Sequence, residues 1–352
     1  MDIKPLVREE VASLKAYEVE DFSSIRIKLD AMESPYTLPE ELRRELADAL
    51  ASVELNRYPD PEARALKTSL ADYAGVPAGN LLLGNGSDEI IAMLISAFGG
   101  SPATVAYPAP TFSMYGIIAR GLGQKTLELP LDNKFDIDFD ATLKLLMERR
   151  PKLVFVAYPN NPTGNLFDRD KVRRIIAGTY GIVVVDEAYH SFSGESFIDK
   201  LGEFPNLVVL RTLSKIGLAG LRVGMMAAGP DVLSEVNKVR LPYNINALSQ
   251  VAAGFALSHK AELDGQVARI IDEREKLYEK LKAVVGLIAY PSKTNFILFR
   301  VQEARAVYDG LKARGILVRS LDAPGPLSGC LRVTVGTPEE NAEFLANLKE
   351  LL

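Results

Sequence analysis

The chain has 352 residues, 47% hydrophobic and 25% charged, which is typical of a globular protein with a large core and a smaller second domain. A formal net charge of −5 argues against the basic surface that a nucleic-acid partner requires. One cysteine and two histidines exclude an intrachain disulfide and the usual Cys/His zinc sites. We therefore expect no nucleic-acid partner and no metal.

The N-terminal residues 1–20 are charged and contain no apolar segment, so they predict no signal peptide. The most apolar stretches, such as residues 182–185, are much shorter than a membrane span. The single cysteine, Cys330, fits a reducing compartment. From these features we expect a cytoplasmic protein with no membrane partner.

The first predicted helix covers residues 38–50, where Thr37 and Glu40 have the spacing of a capping box. From residue 81 to about residue 226, short apolar runs then alternate with helical patterns. The apolar runs are residues 81–83, 104–107, 153–157, 182–185 and 207–210. Continuously apolar, β-branched runs separated by helices are typical of a parallel sheet that is covered on both faces.

The rest of the chain has a mixed pattern. A long amphipathic stretch covers residues 267–285. Three strand-like runs follow at residues 295–299, 316–319 and 331–335, and two further helices are predicted at residues 304–314 and from residue 338 onward. We predict an α/β protein with a large domain, residues 38–242, built on a mostly parallel central sheet. Residues 1–37 and 243–352 are expected to form a smaller α+β domain.

Polar side chains collect at the carboxyl ends of three apolar runs, where open parallel sheets bind ligands. Asn161 follows one run, Asp186 and Tyr189 follow the next, and Lys215 follows the third. Pyridoxal phosphate needs a lysine for its aldehyde and an acid that keeps its ring nitrogen protonated. We predict that Lys215 binds this cofactor covalently and moves protons, and that Asp186 pairs with the ring nitrogen. Asn161 and Tyr189 are expected to hydrogen-bond the ring hydroxyl.

A glycine-rich turn between a strand and a helix is a candidate cradle for the cofactor phosphate. Ser87 and Asp88 stand at the start of that helix, where free N–H groups and the helix dipole favour an anion. Ser214 and Arg222 add a hydroxyl and a guanidinium whose fork matches phosphate oxygens. Such a turn is equally common as a purely structural element. Phe112 either stacks on the cofactor ring or is an ordinary core aromatic.

Three segments resemble the fold-type I aminotransferases: TLSKIGLAGLR at 212–222, NNPTG at 160–164 and DEAY at 186–189. The first resembles the segment that carries the cofactor-binding lysine in that superfamily, and it adds Thr212 to the expected cofactor contacts. The likeness runs over nearly the whole chain and is most specific to the histidinol-phosphate aminotransferases. It implies a fold-type I transferase, a homodimer and pyridoxal phosphate as cofactor.

Other segments resemble the same narrower family. The resemblance implies that Tyr58 reaches the cofactor phosphate of the neighbouring subunit, and that Arg332 binds a substrate carboxylate or phosphate. It also implies that Arg319 and Tyr17 assist with the second anion. The segment 32–34, Met-Glu-Ser, departs from the family's usual Asn-Glu-Asn, and the following Tyr-Thr replaces Tyr-Gly. This departure concerns substrate contacts near the N-terminus and leaves the predicted cofactor residues unchanged.

The implied reaction is transfer of an amino group between L-histidinol phosphate and 2-oxoglutarate in histidine biosynthesis. Two other enzymes on this scaffold, aromatic-amino-acid aminotransferase and threonine-phosphate decarboxylase, share the same lysine, aspartate, asparagine and arginine set. A third alternative is a non-catalytic effector-binding module. That alternative requires an added DNA-binding segment, and the acidic chain with its retained Lys215 disfavours it.

Overall fold

A computed structural model describes residues 1, 3–16, 23–100 and 103–352 of the protein. In chain order its strands are β1 (Ile27–Leu29), β2 (Leu81–Asn85), β3 (Thr104–Ala109), β4 (Lys125–Pro130), β5 (Leu153–Ala157), β6 (Ile182–Asp186), β7 (Leu207–Thr212), β8 (Val223–Ala228), β9 (Leu287–Ala289), β10 (Phe296–Val301), β11 (Ile316–Ser320) and β12 (Cys330–Thr334).

The α-helices follow the strands in an alternating pattern through the first two thirds of the chain. They are α1 (Glu9–Ala12), α2 (Glu40–Ala51), α3 (Arg64–Ala74), α4 (Ser87–Phe98), α5 (Met114–Gly121), α6 (Phe139–Arg149), α7 (Arg169–Gly178), α8 (His190–Ser193), α9 (Pro230–Asn237), α10 (Ala247–Ser258), α11 (Lys260–Lys282), α12 (Ala304–Ala313) and α13 (Pro338–Leu351).

Within the described residues, seven strands form the larger sheet in the order β2-β8-β7-β6-β5-β3-β4. The neighbours from β7 to β4 pair in parallel, whereas β8 pairs antiparallel with both β7 and β2. The prediction of a mostly parallel central sheet is confirmed. Because β5, β6 and β7 are parallel neighbours, their carboxyl ends meet at one edge of the sheet.

Both faces of the larger sheet are buried under helices. Alternate residues of β5 belong to different cores: Phe155 packs with side chains of α4, α5 and α9, and Val154 packs with side chains of α6 and α7. Successive side chains of a strand point to opposite faces, so a strand buried on both faces must be apolar throughout. This explains the continuous apolar runs in the sequence.

The smaller sheet has the order β1-β11-β12-β10-β9 in the described residues. Its strands are antiparallel except for the parallel pair β1 and β11. Side chains of α11, α12 and α13 pack with this sheet in a core that also includes residues of β2 and β8. The predicted smaller α+β unit is therefore present, and the division at residue 242 stays a prediction.

Three details differ from the sequence-based expectations. Helix α2 begins after Pro39 without a side-chain cap, so the predicted capping box at Thr37 and Glu40 does not form. A complete capping box instead starts α13, where Thr337 and Glu340 cap each other's backbone N–H groups. Strands β4 and β8 were not predicted, because β4 is a half-exposed edge and β8 is rich in alanine and methionine.

In the described part of the chain, no helix combines the length and the apolar character needed to cross a membrane. Over the same residues, no group of three or more His, Cys, Asp or Glu side chains is placed to hold a metal ion.

Candidate active site

The carboxyl ends of β5, β6 and β7 deliver the predicted polar side chains to one open cavity. Its walls contain every predicted cofactor-binding residue except Tyr58. The residues that line it are Met32, Ser87, Asp88, Phe112, Tyr115, Ala157, Pro159, Asn161, Asp186, Ala188, Tyr189, Thr212, Ser214, Lys215 and Arg222.

Asp186 is the last residue of β6, and its carboxylate is buried with a hydrogen bond to each oxygen. The Ala188 backbone N–H donates to Oδ1 at 3.1 Å, and the Tyr115 hydroxyl donates to Oδ2 at 2.6 Å. Burial raises the pKa of Asp186 to about 6, although these two hydrogen bonds favour the ionised form. Such a carboxylate is suited to pair with a cation that enters the cavity.

Lys215 lies in the short 3-10 turn Ser214–Ile216 that follows β7. Its side chain is partly exposed and lines the cavity, with Nζ 5.7 Å from the centre of the Tyr189 ring. Burial of the ammonium, together with the positive charge of Arg332, lowers the pKa of Lys215 to about 8. The neutral amine, which is the nucleophilic and basic form, is therefore accessible near neutral pH.

A chain of hydrogen bonds links the two sheets beside Lys215. Arg332 in β12 donates from Nη1 to Asn161 Oδ1 at 2.5 Å and from Nη2 to the Asp30 carbonyl at 2.9 Å. Asn161 in turn donates from Nδ2 to the Tyr189 hydroxyl at 3.3 Å. The guanidinium also lies over the Phe296 ring, 5.1 Å from its centre. These contacts fix the orientation of Arg332, Asn161 and Tyr189 relative to one another.

The turn between β2 and α4 is shaped to admit an anion. Gly86 has φ +81°, and a side chain there would place its Cβ 2.5 Å from Arg222 Nη2. A Cβ on Gly224 would lie 2.6 Å from the Ser87 backbone nitrogen. The two glycines therefore let the Arg222 guanidinium and the β8 backbone approach the free N–H groups that start α4.

Charge at this end of the cavity is arranged around Arg222. Arg222 is half-exposed and donates to Asp88 Oδ2 at 3.2 Å, so its side chain is already directed toward the start of α4. The Ser214 backbone N–H donates to Thr212 Oγ1 at 3.1 Å, and the two hydroxyl oxygens lie 2.9 Å apart. Hydroxyls, backbone N–H groups and a guanidinium are the groups that bind phosphate in proteins.

The donor set fits pyridoxal phosphate in three parts. One end of the cavity offers the phosphate-binding groups of Ser87, Ser214 and Arg222. Lys215 supplies an amine between the ends, and Asp186 supplies a buried carboxylate whose two protein hydrogen bonds leave lone pairs available.

The sequence model of the family described as "Aminotransferase class I and II" matches residues 24–348. This chain belongs to that family. It is 48% identical over 347 residues to histidinol-phosphate aminotransferase 2 of Nitrosococcus oceani, covering 97% of this chain and 96% of the relative. It is also 45% identical over 351 residues to histidinol-phosphate aminotransferase of Thermoanaerobacter pseudethanolicus, covering 99% of each. The predicted resemblance to these aminotransferases is confirmed.

The fold is similar to that of a solved histidinol-phosphate aminotransferase from Sinorhizobium meliloti, which was determined in complex with pyridoxal-5'-phosphate. The TM-score is 0.89, and the match covers 98% of this chain and 97% of that one at 24% sequence identity. At this identity the likeness supports the fold. The predicted fold-type I architecture of this aminotransferase is thereby confirmed.

Among the described residues, three predicted site residues do not line the cavity of this aminotransferase: Tyr58, Arg319 and Arg332, the last of which contacts Asn161 of the cavity wall. Tyr58 is 81% exposed and stacks on Tyr243, with ring centres 4.6 Å apart. Arg319 lies in β11 directly opposite Arg332 on β12, and it is not among the lining residues. Tyr17 lies outside the described residues.

Five residues of the cavity wall were not among the predicted site residues: Met32, Tyr115, Ala157, Pro159 and Ala188. The bond from Tyr115 to Asp186 depends on how α5 packs under the sheet. Met32 holds a left-handed backbone conformation at φ 54°. Its N–H donates to Thr334 Oγ1, and its carbonyl accepts from Asn295 Nδ2. The sequence already showed that Met32 departs from the asparagine that is usual in the family. It did not indicate that Met32 lines the cavity.

Proposed function

We propose that this aminotransferase moves an amino group between L-histidinol phosphate and 2-oxoglutarate, forming imidazole acetol phosphate and L-glutamate in histidine biosynthesis. The observation that carries the proposal is one cavity that brings together the Lys215 amine, the buried Asp186 carboxylate and the turn that starts α4. The names of the full-length relatives supply the substrate.

Pyridoxal phosphate is proposed to bind with its phosphate at Ser87, Ser214 and Arg222, and with its ring nitrogen at Asp186. Asn161 and Tyr189 are proposed to hydrogen-bond the ring hydroxyl, and Phe112 is proposed to cover the ring. When bound, this cofactor supplies an electron sink for the negative charge that develops on the substrate's α-carbon. The buried carboxylate of Asp186 holds a proton on the ring nitrogen, because two buried opposite charges attract strongly.

The amine of Lys215 is proposed to carry the proton that leaves the α-carbon. Because the pKa of Lys215 is lowered to about 8, the neutral amine is more accessible near neutral pH than it is in an ordinary lysine. The neutral amine accepts the proton, and the resulting ammonium returns it to a neighbouring atom. Arg332 is proposed to bind the substrate carboxylate or phosphate, with Arg319 and Tyr17 near the second anion.

We further propose a homodimer in the cytoplasm. The exposed Tyr58 stacks on Tyr243, and both rings lie on the surface outside their own cavity. The resemblance that assigns Tyr58 to a neighbouring subunit's phosphate is consistent with this placement. The cytoplasmic compartment is supported by the single cysteine, Cys330, which is buried and has no second cysteine in the chain to pair with.

A titration of the yellow, cofactor-loaded protein tests the substrate. Histidinol phosphate is expected to bleach the visible cofactor band at a lower concentration than phenylalanine or threonine phosphate, because the names of the full-length relatives make it the expected amino donor. Absorbance against donor concentration gives the comparison. A lower half-bleaching concentration for phenylalanine contradicts the proposal, as does release of carbon dioxide from threonine phosphate.

Subunit mixing tests the shared site. Tyr58→Ala is expected to weaken cofactor affinity by about 10-fold or more, since a charge-assisted hydrogen bond to phosphate contributes roughly 1.5–3 kcal/mol. Mixing Tyr58→Ala with Lys215→Ala should then restore activity, because a mixed dimer carries both lesions in one site and none in the other. Activity per mixed dimer should approach half that of wild type.

Tyr180→Ala is a matched control for the loss of an exposed tyrosine, since Tyr180 is 76% exposed and stacks with Arg150. It should leave cofactor affinity unchanged. If activity after subunit exchange stays at the level of the separate variants, Tyr58 serves its own subunit and the shared site is rejected.

A further inference from the structure

Tyr115 lies in the first turn of α5, and aromatic neighbours fix its fully buried ring. The ring stacks on Phe155 with centres 4.9 Å apart and planes 13° from parallel. It also meets the edge of Phe112 at 5.5 Å between ring centres. Because the ring is held on two sides, the direction of its hydroxyl is set by packing.

That hydroxyl points at the carboxylate of Asp186. It donates a 2.6 Å hydrogen bond to Oδ2, while the Ala188 backbone N–H donates to Oδ1. Burial and the charge of Asp186 raise the pKa of Tyr115 well above its ordinary value, so the phenol remains a donor at any working pH. A short bond from a neutral hydroxyl to an ionised carboxylate is one of the stronger hydrogen bonds in proteins.

The other ionisable groups facing Asp186 are Asp88 on α4, Lys215 after β7 and Tyr189 after β6. Burial favours the neutral acid, and so does the negative charge of Asp88. Lys215 favours the carboxylate only weakly. The hydrogen bond from Tyr115 is the largest influence that keeps Asp186 ionised, ahead of the Ala188 N–H.

We infer that Tyr115 is a positioning residue, which holds the Asp186 carboxylate ionised and directed at the ring nitrogen of the cofactor. Tyr115 acts through Asp186. Its hydroxyl fixes the position of Asp186 Oδ2, and the remaining lone pairs of the carboxylate stay available for the cofactor ring. The inference rests on the proposed cofactor, and it makes no use of the identity of the amino donor.

The first test follows the Asp186 carboxyl in cofactor-free protein by NMR with ¹³C-labelled aspartate. Tyr115→Phe removes only a hydroxyl, and it should move the titration of Asp186 to higher pH by roughly one pH unit. Tyr107→Phe is the matched control, because Tyr107 is buried 6.2 Å from the Tyr115 ring and donates no hydrogen bond to Asp186. It should leave the titration unchanged.

The second test measures cofactor affinity with pyridoxal phosphate and with its deaza analogue, in which carbon replaces the ring nitrogen. Tyr115→Phe should weaken binding of pyridoxal phosphate roughly tenfold and leave binding of the analogue unchanged. In an Asp186→Asn background the same change should have no effect on either ligand. Equal weakening of both ligands would show a merely structural role for Tyr115 and overturn the inference.

A third measurement needs no variant of Tyr115. In wild-type protein, the ¹³Cζ resonance of Tyr115 should shift at the same pH at which the Asp186 carboxyl titrates, because the two groups share one hydrogen bond. A resonance that stays constant through that titration contradicts the inference even if Tyr115→Phe fails to fold. None of these experiments uses an amino donor, so a wrong substrate assignment leaves their outcomes unchanged.

Discussion

Lys215→Ala is expected to abolish turnover together with covalent attachment of the cofactor. The amine lines the cavity beside Tyr189, and its lowered pKa makes the neutral form available. Loss of a positioned base alone costs roughly 10²–10⁴-fold in rate, and loss of the attachment point adds to that. Absorbance of the purified protein and its mass after borohydride reduction measure the attachment, and steady-state kinetics measure the turnover.

Lys238→Ala provides the matched control for this experiment. Lys238 is exposed on the surface and pairs with Glu235 at the end of α9, remote from the cavity wall. The control should keep both wild-type turnover and a borohydride-stable adduct. If a Lys215→Ala protein still traps the cofactor at full yield, another lysine binds the cofactor and the assignment of Lys215 is wrong.

Asp186→Ala is expected to lose turnover by several orders of magnitude while the protein stays folded. Without this carboxylate, the other acid of the cavity wall, Asp88, is paired with Arg222 and leaves a proton on the ring nitrogen uncompensated, so the electron sink weakens. The rate constant kcat, measured on protein that has been shown to contain cofactor, gives the effect. Near-normal kcat in such a protein would show that Asp186 has only a structural role at the end of β6.

Retention of the fold has a physical reason. Displacement of the Asp186 pKa from 3.8 to about 6 means that the ionised carboxylate costs the cofactor-free fold about 3 kcal/mol at neutral pH. Removal of the carboxylate eliminates this cost. The gain offsets the loss of the hydrogen bond from Tyr115, which costs about 1–3 kcal/mol. Thermal unfolding of the cofactor-free variant should therefore stay near that of wild type. Asp231→Ala, an exposed change at the start of α9, is the control.

Much of the larger sheet could be predicted because its central strands are buried on both faces. Residues such as Val154 and Phe155 pack on opposite sides, which forces a continuous apolar run that is visible in the sequence. Strand β8 has the letters VGMMAA, whose methionines and alanines favour helices, and only its pairing with β2 and β7 makes it a strand. Tertiary pairing of this kind leaves no local signal.

The site was predictable where one residue follows one strand. Asp186 directly follows the apolar run 182–185, Lys215 lies in the turn after β7, and parallel pairing brings the two strand ends together. Tyr115 was beyond such reasoning, because its contact with Asp186 joins residues 71 positions apart through the packing of a helix. Tyr58 was predicted only by resemblance, and its exposed ring shows that one chain does not bring it to the cavity.

The bond between Arg332 and Asn161 joins a proposed substrate residue to a proposed cofactor residue. The Asn161 carbonyl oxygen accepts one N–H of the guanidinium at which we propose that a substrate anion binds. An anion that takes this N–H displaces Asn161 from it, and the free energy of anion binding then includes that exchange. By thermodynamic reciprocity, any factor by which the cofactor changes anion affinity is the factor by which the anion changes cofactor affinity. The hydrogen bond between Arg332 and Asn161 is thus the contact through which substrate affinity and cofactor affinity would depend on each other.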